Sequence, residues 1–136
     1  EVKIAKPVLF ETGSAKLKPE SMAALEIIKQ YLTDKSYISQ LRVECHTDNS
    51  GDGATNQART EKRALVICKK LIEMGIDCRR LLAVGFGDTK PVADNSTPDG
   101  KAANLRVSFV NVALRGHVIG GMPVDGGGRV AGALCD

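Results

Sequence analysis

The stretch LRVECHTDNSGDGATNQARTEKRALVICKKLIEMG, Leu41 to Gly75, decides the fold. It opens by alternating, with Leu41, Val43 and Cys45 set against Arg42, Glu44 and His46. That period marks a half-buried strand, because successive side chains point to opposite faces. A polar loop broken by Gly51 and Gly53 follows. From about Ala54 to Met74 the period changes, and Ala64, Ile67, Leu71 and Met74 fall on one face of a helix. Gly75 stands where a helix ends in the left-handed conformation that glycine adopts freely. Toward the start of this helix the apolar stripe turns polar. Asn56 and Thr60 continue it, with Arg63 on its edge. A cation near a helix N-terminus works against the macrodipole, and a residue that local stability does not favour points to function.

Asp48 supplies the opposite charge. A strand that feeds a helix through a loop presents ligand groups at the strand's carboxyl end, facing the helix N-terminus. Asp48 and Arg63 would then face each other across the mouth of a crevice. An arginine fork pairs with a carboxylate in two parallel hydrogen bonds, and an aspartate holds an ammonium. An α-amino acid centre carries both groups on one carbon. The plainer arrangements stay open: Asp48 and Arg63 paired with each other, Arg63 paired with Glu11 or Glu44, or Asp48 serving only as a turn residue.

The rest of the chain builds outward from this unit. VKIAKPVLF, ending at Phe10, reads as an edge strand or lead-in interrupted by Pro7. Pro19 and Glu20 suit a helix start, and Leu25, Ile28 and Leu32 predict a helix over 19–34. RLLAVGF is a third strand, GDTKPVADNSTPDGKAAN a long polar loop, and LRVSFVNVAL a fourth strand. The expected fold is α+β: a βαβαββ-type two-layer sandwich with two main helices on a four-stranded mixed sheet. Residues 1–115 make the domain. Residues 116–136 hold half of the chain's 14 glycines and read as a Gly-rich extension, flexible or loosely docked. The alternative is an extra edge strand around His117–Ile119, pinned by Cys135.

Composition narrows the function. With no Trp, two Tyr and three Phe, the chain is poor material for stacking bases or sugars. A net charge of +3 is too small to argue for nucleic acid. No apolar run approaches the ~18 residues of a membrane span, so any membrane association is expected through parts outside this chain. Lacking an initiator Met and a signal peptide, the chain is read as a mature or trimmed fragment. Cys45, Cys68, Cys78 and Cys135 fit no zinc spacing, and His46 and His117 lie far apart. The cysteines are either small buried hydrophobes or disulfide partners. If they are oxidised, Cys68–Cys78, closest in sequence, is the first pairing to expect. His46, Asp48 and Asp52 could be imagined as metal ligands, or His46 as a base. Yet no third imidazole, nucleophile elbow or phosphate loop accompanies them. No metal, cofactor or catalysis is expected.

Several separated motifs, in order, resemble the OmpA-like domain, a peptidoglycan-binding module. They are His46-Thr47-Asp48, Gly51, Asn56, Arg59-Thr60 and Arg63-Ala64, with the family's usual step from the aspartate to the arginine. VLFETGSAKLKPE before them and RLLAVGFGDTKPVADNSTPDGKAANLRV after them extend the likeness over residues 7–112. The resemblance implies non-catalytic binding of the peptidoglycan stem peptide at its diaminopimelate residue, with Asp48 on the ammonium and Arg63 on the carboxylate. It also implies a periplasmic domain attached to, or part of, an outer-membrane protein. Asn56 and Thr60 would orient the pair, and Phe10, Glu11, Thr12 and Asn104 would line the same mouth. Three departures stand out: Arg59 where the family has Leu, Leu105 where it has Arg, and Cys45 where it has Gly. An interaction module with a vestigial pocket, or a metal-dependent hydrolase, are the competing readings.

Overall fold

Pro19 opens a short 3₁₀ turn, Pro19–Ser21, where its missing N–H costs nothing, and the turn runs straight into helix α1, Met22–Asp34. Ala24, Leu25, Ile28 and Leu32 form the buried face of α1. Strand β1, Ile38–His46, is followed by helix α2, Gly53–Glu73. Asp52 caps α2 by accepting from Thr55 N at 3.0 Å. Met74 closes it, and Gly75 follows at φ +109°. Then come strand β2 (Leu81–Gly87), helix α3 (Pro98–Asn104) and strand β3 (Arg106–Leu114). Two-residue strands β4 (His117–Val118) and β5 (Arg129–Val130) complete the described elements. The computed structural model describes residues 2–119 and 127–135. The parts of the glycine-rich extension at 120–126 and 136 lie outside the described residues.

The sheet order is β4-β3-β1-β2-β5. β1 runs parallel to β2, as a strand–helix–strand unit requires, and antiparallel to β3. Leu41, Val43 and Cys45 face the helices and pack with Ala64, Ile67, Leu71, Ala83 and Phe109 in one core. Each fully buried aliphatic there contributes about 1.5–3 kcal/mol. Helix α2 lies so close to β2 that a Cβ on Gly85 would stand 2.5 Å from the backbone nitrogen of Glu61. Glycine is what permits this layer spacing. Among the described residues, no helix is long and apolar enough to cross a membrane.

The α+β architecture and both main helices agree with the sequence, but four details differ. Among the described residues the sheet has five strands rather than four. The first segment is not a strand: Val2 makes one bridge to Phe109, and Phe10 one to Leu17. Pro7 and the turn before Leu17 leave it no partner run, and Ser21 Oγ secures it by accepting from Leu9 N at 2.7 Å. The long polar loop hides α3. Thr97 caps this helix, Pro98 begins it, and a Cβ on Gly100 would land on the carbonyl of Asp94.

The cysteine pairing differs too. Cys78 bonds Cys135, with their Cα atoms 5.4 Å apart, and Cys68 is not its partner. Cys68 sits on the buried face of α2, while Cys78 lies in a 3₁₀ turn beyond the helix, so their side chains never meet. Cys45 and Cys68 are free, buried thiols. Burial pushes the Cys68 thiol up to about 12, so it stays neutral and packs as a small hydrophobe. The extension thus supplies edge strands on both sides of the sheet, and Cys135 pins its end.

Candidate functional site

At the carboxyl end of β1 the register slips between Cys45 and His46. Thr47 N then donates to Gly87 O at 2.9 Å, turning the chain off the sheet into the Asp48 loop. Asp48 Oδ1 accepts from Ser50 N at 2.8 Å, the side-chain turn expected of aspartate. Lys101 of α3 braces this loop by donating to Asn49 Oδ1 at 2.9 Å and Ser50 Oγ at 3.1 Å.

Across from Asp48 lies Arg63, 7% exposed. Its Nε donates to Ser14 O at 2.7 Å, and its Nη2 reaches Glu11 O at 3.5 Å. Its guanidinium carbon sits 4.9 Å from the centre of the Phe10 ring, a cation–π contact. Burial pulls its pKa down, yet an arginine remains charged throughout the working range. The rest of its fork has no protein acceptor among the described residues. Asp48 and Arg63 do not pair with each other, and Arg63 uses the backbone carbonyl of Glu11, not its carboxylate. Glu44 is taken by Arg42, at 2.6 Å, and by His46, at 3.2 Å.

Both charges line one cleft of about 270 Å³, together with Phe10, Thr12 and Asn56. Asn56 is nearly fully buried and donates from Nδ2 to Ser50 O at 2.8 Å, which fixes the Asp48 loop from below. Glu11, expected at this mouth, does not line it: its carbonyl lies 3.5 Å from Arg63 Nη2, and its exposed side chain lies 3.7 Å from Lys16. Two more expected residues are elsewhere. Thr60 is fully buried, donating to Gln57 O and accepting from Gly87 N at 2.9 Å, so it joins α2 to the end of β2. Asn104 is fully buried and spends its amide on the 92–95 loop, accepting from Val92 N at 2.6 Å and donating to Ala93 O at 3.0 Å. Its neighbours Leu105, Arg106 and Val107 line the cleft instead. Arg59, one turn before Arg63, also lines it. The antiparallel pairing of His46 with Arg106 explains why the start of β3 belongs here, a pairing that no local pattern announces.

His46 is 3% exposed and stacks on Phe86 with ring centres 4.7 Å apart. Its Nδ1 is buried without a partner among the described residues. Burial, with Arg106 and Lys90 nearby, holds its pKa below the usual 6.5 despite the opposing pull of Glu44. For Glu44, burial raises the carboxyl, but the hydrogen bonds and charges of His46 and Arg42 outweigh it and the net direction is down. Both shifts have the same sign for stability. An unfolded chain takes up a proton at His46 that the fold refuses, so stability falls as pH drops below about 6.5. Glu44 adds to the loss as the carboxylate range is approached. The melting temperature should be lower at about pH 5.5 than at pH 7.5, and His46→Gln should flatten that difference. An unchanged slope in the variant would remove His46 from the account.

A profile of the OmpA family matches residues 9–105, and the chain belongs to that family. Outer membrane porin F of Pseudomonas aeruginosa is 38% identical over 108 residues, which cover 78% of this chain and 30% of the porin. The outer-membrane lipoprotein YfiB of the same organism is 36% identical over 110 residues, covering 81% of this chain and 65% of the lipoprotein. The chain therefore spans less than two thirds of either relative. Among solved structures, the peptidoglycan-associated lipoprotein of Burkholderia pseudomallei superposes with a TM-score of 0.68 at 28% identity. That match covers 77% of this chain and 88% of the lipoprotein.

Proposed function

We propose that this domain binds peptidoglycan without catalysis, taking the free α-amino acid centre of the stem peptide's diaminopimelate between Asp48 and Arg63. It would thereby tie an outer-membrane or envelope component to the wall from the periplasmic side. One observation carries the reading: Asp48 and Arg63 line the same cleft, opposite in charge and not paired with each other. A ligand with an ammonium and a carboxylate on one carbon satisfies both at once. Phe10 and the carbonyls of Glu11 and Ser14 hold the arginine fork in place. Asn56 and Thr60 act through orientation, one on the loop and one on the end of β2. Membership of the OmpA family, and the likeness to a peptidoglycan-associated lipoprotein of Burkholderia, support the same partner.

Selectivity tests it. Lysine in the same stem position offers an ammonium but no carboxylate, so Asp48 keeps a partner and Arg63 loses one. A buried charged group left unpaired costs about 1–3 kcal/mol or more. Diaminopimelate-type stems should therefore bind about tenfold or more tightly than lysine-type stems. Calorimetry with matched peptides differing only at that residue reads the difference. Equal affinities would show that Arg63 does not read the terminal carboxylate.

A further inference from the structure

The cleft continues past Arg63. A second groove of about 490 Å³ has Gly13, Ser14 and Ala15 on one bank and Ala54, Ala58 and Arg59 of α2 on the other. Gly13 and Arg59 line both hollows, so the two form one trough with Arg59 at the junction. The groove's small side chains leave room for a peptide backbone. Lys62, exposed, adds a second cation to its rim.

Arg59 is unlike the other charged groups here. It is half-buried and has no hydrogen-bond or ion-pair partner among the described residues. Four residues before Arg63, it lies on the same side of the helix. Two like charges at that spacing destabilise a helix, and the Arg59 charge does bear against Arg63. One carboxylate on Arg63 leaves Arg59 unanswered. A second anion reaching into the trough removes the repulsion and gives Arg59 a partner.

We infer that Arg59 reads a second free carboxylate on the stem peptide, next to the diaminopimelate residue, and makes the site selective against stems amidated there. The inference rests on the diaminopimelate reading above. Two carboxylates have the right chemistry. One is the α-carboxylate of the γ-linked glutamate before diaminopimelate; the other is the C-terminal carboxylate of the residue after it. A ligand seated on Asp48 and Arg63 runs into the trough in one direction or the other, and the two directions present different carboxylates.

Four synthetic tetrapeptides test this by calorimetry at low salt: both carboxylates free, each amidated singly, and both amidated. With the wild-type chain, amidating one of them should weaken binding by about fivefold, the upper range for a partly exposed ion pair. The loss should shrink at higher salt. Arg59→Gln should abolish the discrimination and Arg59→Lys should keep part of it. The position whose amidation matters names the carboxylate. Equal affinities for all four peptides with the wild-type chain overturn the inference, as does a loss that persists in Arg59→Gln. Free diaminopimelate separates the two levels. If it fails to bind the wild-type chain, the reading of the primary pocket falls. If it binds while amidation is without effect, only the role of Arg59 falls.

Discussion

Asp48→Asn and Arg63→Lys should each weaken cosedimentation with diaminopimelate-type peptidoglycan by at least about tenfold, from the roughly 1.5–3 kcal/mol of a charge-assisted hydrogen bond. These variants are sharper than alanine. An asparagine at 48 keeps a carbonyl oxygen for Ser50 N, so the turn survives while the charge goes. A lysine at 63 keeps the charge but loses the planar fork that holds Ser14 O and stacks on Phe10. Arg63→Ala removes more: two carbonyls lose a donor and the Phe10 ring loses its cover, so a fall in stability would accompany the fall in binding. Melting curves alongside the sedimentation separate these effects. Two native-like variants that sediment like the wild type would sink the pocket assignment.

The second large effect is on stability. The Cys78–Cys135 bridge closes a loop spanning 57 residues. In the chain-entropy account, a loop of that length restricts the unfolded chain by about 4 kcal/mol, with measured bridges more often at 2–4. The lower part of that range is expected here. Once the bridge is cut, the end of the chain can leave β2 while the core of α1, α2 and the three long strands stays folded, so part of the constraint is lost at small cost. Reductant should lower the urea midpoint of the wild-type chain, and Cys135→Ser should show the lowered midpoint with or without reductant. Identical midpoints for oxidised and reduced wild type would mean that the bridge constrains nothing that matters.

The sequence was most legible where one residue type repeats at one period. The alternation of 41–46 and the helical stripe from Ala64 to Leu71 gave the central strand and helix, with the crevice between them. That placed Asp48, Arg63 and Asn56 about a common mouth, whereas Phe10 and Thr12 were expected there as the end of a first strand and line the cleft although that segment is not a strand. Elements without a period were harder. Helix α3 is seven residues long and buries only Gly100 and Asn104, so it has no apolar stripe. Its Thr-Pro-Asp start was the available signal. Thr60 and Asn104 were assigned by position, but their partners are backbone atoms of Gly87, Val92 and Ala93, and only the folded chain brings those groups to them. The disulfide was illegible for the same reason. Nearness in sequence favoured Cys68, and the path of the chain's end decided for Cys135.

That path has a consequence for how one copy of the domain meets another. A mixed sheet has two outer strands whose unused backbone groups invite a neighbour's strand to add on. Here the vacancy is broken up on each side. Along β3, Val2 N donates to Phe109 O, Ile119 N donates to Val112 O, and β4 pairs with Ala113 and Leu114. Along β2, β5 pairs with Val84 and Gly85, and Ala131 N donates to Ala83 O. Neither outer strand offers the uninterrupted row that edge-to-edge association needs. The bridge to Cys135 keeps the β2 side covered, so the same disulfide that restrains the unfolded chain also shields a sheet edge from a second copy.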